Sequence, residues 1–384
     1  MSGDISGPVF WAELASNVYM IKDESTRKGF QLKYQKTFNM EESTMAVGKT
    51  GAFVIMKKPH VMGFLATGTG ENKNHAFVAF KGTAGLYDAL TDLNTGVRAC
   101  HTGTSVHQGF YYAFESVYQE LNQFLRGLKG VTTIHCVGHS LGGAIATLAA
   151  DWIKSTGAVA QVNLYTFGSP RVGLEMFAKK CTTRLVADNI YRVYHKTDPV
   201  PMVPTWPFTH VPASNADYLL FSPVAAIPWE YHKMKHYVSS VKNAAGWNGM
   251  RINRPKGYGQ VAVERWLQSD GIVSFTANTL ELLDAALLYV IEKVINATGI
   301  VLVTGFATCF TLLDRMAVFM AKAAKATVKV SLWVHHLIRK MAALIGIVVK
   351  EGADLTVEFI RMVFNRVYRK IADMVWQAGQ DINK

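Results

Sequence analysis

The sequence is poor in cysteine and in charged side chains, and its composition excludes two classes of protein. Its 384 residues include four cysteines, Cys100, Cys136, Cys181 and Cys309, whose scattered positions match neither a disulfide framework nor a zinc-binding pattern. Charged residues make up 18% of the chain and hydrophobic residues 49%, which is less apolar than a polytopic membrane protein. We therefore expect neither a disulfide-stapled domain nor a metal centre.

Acidic residues are also in short supply. The chain has 28 aspartates and glutamates against 40 lysines and arginines, which gives a net charge of +12 at pH 7. Such an excess favours anionic partners, either a phospholipid surface or a nucleic acid. Because the chain has neither a zinc-finger spacing nor a basic low-complexity tail, we expect a membrane surface and no nucleic acid as its partner.

The first ten residues, MSGDISGPVF, lack the basic segment and the following apolar segment of a secretory signal peptide. We therefore expect synthesis in the cytoplasm, whereas the basic surplus leads us to expect association of the protein with membranes. Any export would use a system that does not depend on a signal peptide.

Residues 1–250 alternate short apolar runs with helical patterns, which is typical of an α/β domain. The apolar runs that end at turns predict strands at 77–80, 133–137, 162–167 and 190–194. The spacing of apolar residues predicts helices at 110–128 and 141–153. Consecutive strands joined by helices imply a mainly parallel sheet with right-handed crossovers.

Beyond this domain the composition changes. Residues 246–259 contain four glycines and one proline, which predicts a loop. Strand signals vanish after residue 271, and residues 315–384 hold 12 basic and 5 acidic side chains. We therefore predict a connecting loop or helix at 251–270 and a helical, basic, membrane-prone region at 271–384.

Two apolar stripes at helical spacing run beside basic residues in this C-terminal region. The first stripe comprises Phe319, Ala323, Ala326, Val330, Trp333 and Leu337, beside Lys322, Lys325 and Lys329. The second comprises Leu355, Phe359, Val363 and Val367, beside Arg361, Arg366, Arg369 and Lys370. Such helices suit either a bilayer surface or a solvated bundle. The uncharged run at 294–313 is compatible with a membrane-inserting segment or a buried helical pair.

A G-x-S-x-G sequence at 138–142 is the strongest indication of chemistry. It follows the strand predicted at 133–137 and precedes the helix predicted at 141–153, which is the context of a nucleophile elbow. Backbone and helix crowd together at such a turn, and the neighbouring glycines supply the small residues that it needs. We therefore predict that Ser140 is a nucleophile and that a helix N-terminus faces the developing oxyanion.

A serine nucleophile needs a base, and the base needs an orienting acid that precedes it in this fold. Asp198 follows the strand predicted at 190–194, so it should lie at the sheet edge where functional groups gather. Asp188 precedes the same strand and should lie at the opposite edge, whereas Asp217 remains a rival. We predict that Asp198 is the acid.

Three histidines follow this acid and could act as the base: His210, His232 and His236. A resemblance favours one of them, because the chain resembles the class 3 lipases, which include the fungal triacylglycerol lipases. The matching motifs lie at 79–83 (AFKGT), 88–93 (DALTDL), 106–110 (VHQGF), 138–144 (GHSLGGA), 166–173 (TFGSPRVG) and 198–201 (DPVP). The last family motif, H-x-M-x-x-Y, fits residues 232–237 with His232 as the base and His236 as the alternative.

The resemblance also implies an α/β-hydrolase fold with an oxyanion hole. Its donors would be the backbone N–H groups of Leu141 and Thr83, each worth about 3 kcal/mol of transition-state stabilisation. In secreted relatives the stretch at 86–93 is a lid, although its leucine spacing also fits a fixed helix. The predicted fold is an α/β-hydrolase-like, mainly parallel sheet with flanking helices, followed by an all-α region. No cofactor is expected.

Together these features predict a serine hydrolase that cleaves acyl esters of lipids through an acyl-serine intermediate. Phospholipids are the expected substrates of a phospholipase A, because basic helices dock on anionic bilayers at about 1 kcal/mol per Lys or Arg. Triacylglycerols and monoacylglycerols are the alternative substrates. A membrane-inserting, pore-forming protein that uses residues 294–313 is an alternative of another class.

A class 3 lipase domain with a helical extension and no signal peptide also resembles bacterial lipase effectors of the type VI secretion system. This resemblance implies a toxin that attacks the phospholipids of rival cells. It further implies an immunity protein in the producing cell and a partner in the secretion apparatus. The C-terminal region departs from the ordinary lipase pattern and contains no identifiable delivery signal.

Overall fold

The structure is a computed structural model. It describes residues 4–48, 60–82, 96–213, 216–223, 228–253, 258–270, 273–299, 311–350 and 352–380. Three predictions fall wholly or mostly outside these ranges: the oxyanion donor Thr83, the lid at 86–93 and the uncharged run at 294–313. They stay predictions, as do the domain boundaries.

The described strands form one large and one small sheet. They are β1 (Thr44–Gly48), β2 (His60–Thr67), β3 (His75–Phe80), β4 (Val97–Ala99), β5 (Ser105–His107), β6 (Thr133–His139), β7 (Gln161–Phe167), β8 (Gly173–Leu174), β9 (Ile190–His195), β10 (Phe208–Thr209), β11 (Ala216–Leu220) and β12 (Arg251–Asn253). The large sheet has the order β1-β2-β3-β6-β7-β9-β11-β12, and the small one has the order β10-β8-β5-β4. Strands β3 to β11 of the large sheet run parallel, whereas β1, β2 and β12 pair antiparallel.

The four predicted strands are confirmed as β3, β6, β7 and β9. They lie in the interior of the sheet and are mostly buried, so each contains apolar residues that make it recognisable. The loop predicted at 246–259 is wrong in part, because Arg251–Asn253 adds an antiparallel edge strand to β11. Such a short strand is defined by its partner and leaves little local pattern.

Helices surround the sheet and continue to the end of the described chain. They are α1 (Pro8–Asn17), α2 (Glu24–Tyr34), α3 (Gln108–Glu115), α4 (Tyr118–Gly127), α5 (Leu141–Thr156), α6 (Glu175–Leu185), α7 (Met234–Lys242), α8 (Gln260–Gln268), α9 (Ala277–Thr298), α10 (Leu312–Ala324), α11 (Val328–Leu344) and α12 (Val357–Gln380). The single helix predicted at 110–128 is wrong, because Val117 leaves the helical conformation at φ −116°. The Ser116 hydroxyl bonds to the Ala113 carbonyl at 2.8 Å and competes with the regular helical bonds there.

The sheet separates two apolar cores. On one face α1 packs against β6 and β7, with the ring of Trp11 stacked on that of Tyr165 at 3.9 Å between centroids, and α7 packs against α1 and β11. On the other face α3 and α5 pack against the sheet, and the same apolar core extends into the C-terminal helices. A mainly parallel sheet with flanking helices and a helical extension is therefore confirmed.

The C-terminal helices bury their predicted stripes against one another. Trp333 and Leu337 of α11 are buried, as are Val363 and Val367 of α12. The first stripe is split between α10 and α11 by Thr327, whose side chain caps α11, so Ala326 of this stripe is exposed. None of the helices in the described part of the chain combines the length and apolar character that crossing a membrane requires.

The C-terminal helices also contact the catalytic half of the molecule. Helix α12 packs against a short 3-10 helix, Pro228–His232, and α9 packs against another, Val200–Met202. The Asp284 carboxylate on α9 pairs with Arg171 Nη1 at 2.9 Å and accepts the Trp206 backbone N–H at 2.5 Å. Both 3-10 helices lie next to predicted site residues, so the helical extension supports the segments that carry the site.

Candidate active site

Strand β6 and helix α5 meet at Ser140, which adopts φ 58° and ψ −130°. Residues other than glycine rarely occupy this region, and strain of this kind is typical of a nucleophile elbow. A Cβ atom on Gly138 would collide with the Gly142 carbonyl oxygen, and one on Gly142 with the Phe80 carbonyl oxygen. These two glycines therefore allow the turn to close so tightly.

The structure brings the three predicted side chains Ser140, His232 and Asp198 together. Ser140 Oγ lies 2.9 Å from His232 Nε2, and His232 Nδ1 lies 2.8 Å from Asp198 Oδ2. All three residues are fully buried. With Nδ1–H donating to the carboxylate, Nε2 is left to accept the serine proton.

Asp198 is oriented by two further donors. Tyr237 Oη donates to Oδ2 at 2.6 Å, and the Val200 backbone N–H donates to Oδ1 at 2.9 Å. Burial and the adjacent Asp198 carboxylate raise the pKa of Tyr237 well above its ordinary value, so its hydroxyl remains a donor. The carboxylate is thereby held with one oxygen toward His232.

A second chain of hydrogen bonds reaches the base from the N-terminal part of the protein. His139 Nε2 donates to the His232 carbonyl at 2.8 Å, and Tyr19 Oη donates to His139 Nδ1 at 2.7 Å. The Gly82 N–H completes the chain by donating to Tyr19 Oη at 2.9 Å. Burial is the main cause, and the neighbouring His232 the second, that lowers the pKa of His139 well below its usual range. The ring is therefore neutral, and one of its nitrogens can donate a hydrogen bond while the other accepts one.

Of the two predicted oxyanion donors, Leu141 lies within the described residues and Thr83 lies outside them. Leu141 is the first residue of α5, where backbone N–H groups lack intrahelical partners. Thr83 lies outside the described residues, but its neighbour Gly82 touches the elbow, because a Cβ atom there would approach Ser140 Cβ to 2.9 Å. The donor roles of Leu141 and Thr83 stay predictions.

The two other aspartates considered as the acid form ion pairs with arginines. Asp217 is fully buried and pairs with Arg192 Nη1 at 3.0 Å. Asp188 is exposed and pairs with Arg251 Nη2 at 2.8 Å. The geometry therefore favours Asp198 as the partner of the base.

The rival histidines also have other neighbours. His236 Nε2 lies 3.0 Å from Glu230 Oε1, and His210 Nε2 accepts from Arg171 Nε at 3.3 Å. His232 is the histidine whose ring bridges Ser140 and an aspartate. Among the described residues, no group of three or more His, Cys, Asp or Glu side chains is arranged to hold a metal ion.

The supporting residues Tyr19, His139 and Tyr237 were not among the predicted site residues. Tyr237 had a usable signal, since it ends the H-x-M-x-x-Y motif, although no role was assigned to it. Tyr19 lies 120 residues from His139 and outside every motif considered. Contacts that distant in the chain follow only from the packed fold.

The sheet and the elbow first define the class of the protein. A mainly parallel sheet, with Ser140 between a central strand and a helix and Asp198 after a later strand, is the arrangement of an α/β-hydrolase fold. The comparison with known families narrows this further, because the model of the family "Lipase (class 3)" matches residues 77–208. This part of the chain is therefore similar to the class 3 lipases.

Three curated relatives illustrate the range of this similarity. Secreted mono- and diacylglycerol lipase 1 of Fusarium solani is 33% identical over 169 residues, which cover 43% of this chain and 48% of the relative. Toxin TseL of Vibrio cholerae is 30% identical over 211 residues, 52% of this chain and 31% of the toxin. Phospholipase A1-II 1 of Oryza sativa is 27% identical over 231 residues, 50% of this chain and 58% of that enzyme. The chain spans about half of the first relative's length.

Proposed function

We propose that this protein is a serine hydrolase that cleaves acyl esters of lipids, with membrane phospholipids as its substrates. The observation that carries the proposal is the buried hydrogen-bonded series from Ser140 through His232 to Asp198 on a strained elbow. The similarity to lipases supports the ester of a fatty acid as the group that is cleaved.

In the proposed first half-reaction, Ser140 Oγ attacks the ester carbonyl carbon while His232 Nε2 takes the hydroxyl proton. The Asp198 carboxylate stabilises the imidazolium that forms. Backbone N–H groups of Leu141 and Thr83 would stabilise the oxyanion of the tetrahedral intermediate. The intermediate collapses to an acyl-serine, and the leaving alkoxide, which becomes the lysophospholipid, takes the proton from His232.

In the second half-reaction a water molecule replaces the alcohol. His232 removes a proton from this water as it attacks the acyl-serine carbonyl. The second tetrahedral intermediate collapses, and Ser140 Oγ recovers a proton from His232. The products are a fatty acid and the regenerated enzyme, so the reaction needs only the lipid ester and water.

The phospholipid substrate is supported by an exposed surface on the C-terminal helices, which we term the docking patch. Its residues are Lys322, Lys325, Val328, Lys329 and Leu332. Val328 is 90% exposed and Leu332 is 47% exposed, although both are apolar. Exposed apolar residues among lysines suit an anionic bilayer, where the apolar groups insert and the ammonium groups meet lipid phosphates.

The central experiment is mass-spectrometric analysis of the products released from mixed phospholipid and triacylglycerol vesicles. We expect the wild type to release fatty acid and lysophospholipid, and Ser140→Ala to release neither above background. Ser155→Ala, on the same helix α5, is the matched control and should retain wild-type turnover. Wild-type protein that releases no fatty acid from any ester would contradict the proposal.

Acylglycerols are the alternative substrates, and the name of the Fusarium solani relative supports them. The same experiment distinguishes them, because diacylglycerol or monoacylglycerol would appear in place of lysophospholipid. Membrane insertion by the C-terminal helices is tested by dye release from vesicles. Release by Ser140→Ala at the wild-type rate would favour insertion over hydrolysis as the main activity.

We also propose that the protein acts against rival bacteria as an exported effector. The resemblance to type VI lipase effectors and the similarity to a protein named as a toxin support this role. An immunity protein in the producing cell would then bind the enzyme. In competition assays we expect a producing strain that carries Ser140→Ala to lose its advantage over the rival strain. A wild-type producer that has lipase activity but leaves the rival strain unaffected would contradict this role.

A further inference from the structure

A cleft of about 910 Å³ lies between the α/β part and the C-terminal helices. One wall of the cleft is formed by strands β9 and β11 and by the loop that follows β7. The other wall is formed by helices α8 and α9. Small-molecule sites typically have volumes of roughly 300–1,000 Å³. The cleft therefore has room for a ligand the size of a lipid headgroup.

Two arginines, Arg171 and Arg192, line the cleft and are more than nine-tenths buried. Arg171 Nε and Arg192 Nη2 each donate to His210 Nε2 at 3.3 Å, which requires that this nitrogen carry no proton. Asp284 and Asp217 pair with the two arginines at 2.9 and 3.0 Å. The guanidinium groups are thus held in place, and each has further N–H donors of the kind that bind phosphate.

Glu281 and Lys196 bring opposite charges to the same cleft. Glu281 lies on α9 and is partly buried, whereas Lys196 follows β9 and is exposed. Within the described ranges neither side chain forms an ion pair, although Lys196 and Arg171 act on Glu281 electrostatically. Burial is the main cause that raises the pKa of Glu281, and the neighbouring Asp284 carboxylate raises it further.

We propose that this cleft binds a small group that carries both a phosphate and an ammonium, as phosphoethanolamine does. The ammonium would pair with Glu281, and the phosphate would bind Lys196 and the N–H groups of Arg171 and Arg192. A simple anion would leave the Glu281 carboxylate uncompensated, and a simple cation would leave the Lys196 ammonium without an anion. The zwitterion satisfies both sides at once.

The cleft shares its walls with the candidate active site. Pro201 and Met202 line it and lie in the 3-10 helix Val200–Met202, which begins two residues after Asp198. Arg171 lies three residues after Gly168, which packs so closely that a Cβ atom there would lie 2.7 Å from Asp198 Oδ2. A phospholipid headgroup in the cleft would therefore lie at the functional edge of the sheet, an extension that rests on the proposed function.

Binding is tested directly by isothermal titration calorimetry with the full-length Ser140→Ala protein. The probes are phosphoethanolamine, inorganic phosphate and ethanolamine. We expect phosphoethanolamine to bind most tightly, and Glu281→Gln and Lys196→Met to weaken it about tenfold each, since each removes one charge-assisted contact. Folding of each variant is checked by its melting temperature.

The matched controls are Glu175→Gln and Lys179→Met, which alter an exposed ion pair on α6 outside the cleft. They should leave the binding of phosphoethanolamine unchanged. Equal binding by Glu281→Gln, Lys196→Met and the controls would overturn the proposal, as would phosphoethanolamine binding no tighter than phosphate alone.

A second measurement distinguishes a lipid headgroup from a free zwitterion. Active protein is given vesicles of phosphatidylethanolamine or of phosphatidylglycerol with identical acyl chains, and the ratio of the two rates is recorded. If Glu281→Gln lowers the ratio of the phosphatidylethanolamine rate to the phosphatidylglycerol rate, the ligand is the lipid headgroup. If this ratio is unchanged but Glu281→Gln loses the calorimetric binding of phosphoethanolamine, the ligand is a free zwitterion. Absence of hydrolysis on every lipid contradicts the proposed function and leaves the binding result intact.

Discussion

The two parts of the molecule are held together by different interactions. Around Ser140, buried polar groups fix the reacting side chains, as when Tyr237 bonds to Asp198 and His139 bonds to the His232 carbonyl. In the C-terminal helices the buried face is mainly apolar, and residues such as Leu337 are held by packing alone. Mutations near the site should therefore change activity at nearly constant stability, whereas mutations in the helical core should do the reverse.

The largest effect on activity is expected from Asp198→Asn. The amide cannot stabilise an imidazolium and favours the wrong tautomer of His232, and the same change in a comparable triad lowers kcat about 10⁴-fold. The rate is measured with a soluble short-chain ester so that membrane binding does not enter. The melting temperature should change little, because asparagine has the same shape as aspartate.

Asp188→Asn is the matched control for this change, since Asp188 is exposed and pairs with Arg251. It should retain the wild-type rate. Activity of Asp198→Asn within tenfold of the wild type would show that another group orients the base, and Asp217 would then be tested in the same way.

The largest effect on stability is expected from Leu337→Ala in α11. Leu337 is fully buried, and removing such a side chain costs about 2–5 kcal/mol of the free energy of unfolding. Urea denaturation measures this loss, and Leu332→Ala on the exposed face of the same helix should change it by less than about 0.5 kcal/mol. Turnover per folded molecule should stay at the wild-type value, and a large loss there would break the proposed separation.

The difference between the two parts also explains what could be predicted from the sequence. The elbow at Ser140 was recognisable because its geometry tolerates only glycine at positions such as Gly138 and Gly142, which leaves a strict local pattern. Asp198 was predicted from its place after the C-terminal end of a predicted strand. The choice of His232 needed the family motif, because spacing alone left three histidines.

Other features could not be predicted because they depend on distant partners. Tyr19 reaches His139 only after the N-terminal segment packs beneath the sheet. The edge strand β12 forms because its backbone pairs with that of β11. Its own three residues contain no clear strand pattern, so the sequence did not predict it. In the C-terminal region the apolar period predicted the buried faces but did not predict the break at Thr327, where a cap replaces helix continuation.

A smaller effect on activity is expected from Tyr237→Phe. Loss of the hydroxyl removes a hydrogen bond to the Asp198 carboxylate, and bonds to charged groups contribute about 1.5–3 kcal/mol. We expect kcat to fall roughly 10- to 100-fold with little change in KM, because the carboxylate acts on the transition state. Tyr368→Phe is the control, since its buried hydroxyl has no hydrogen-bond partner within the described structure. Equal losses in both variants would assign the Tyr237 effect to general packing.

The smallest effects are expected in the docking patch, where side chains act on the membrane and not on the reaction. Lys325→Met or Lys329→Met should each weaken binding to anionic vesicles by about 1 kcal/mol, or roughly fivefold, and leave turnover of a soluble ester unchanged. Vesicle co-sedimentation of the Ser140→Ala background measures binding without hydrolysis, and added salt should reduce the difference because it screens exposed charges. Lys179→Met on α6 is the exposed control outside the patch. Equal weakening by all three variants would mean that net charge, and not this surface, draws the protein to the bilayer.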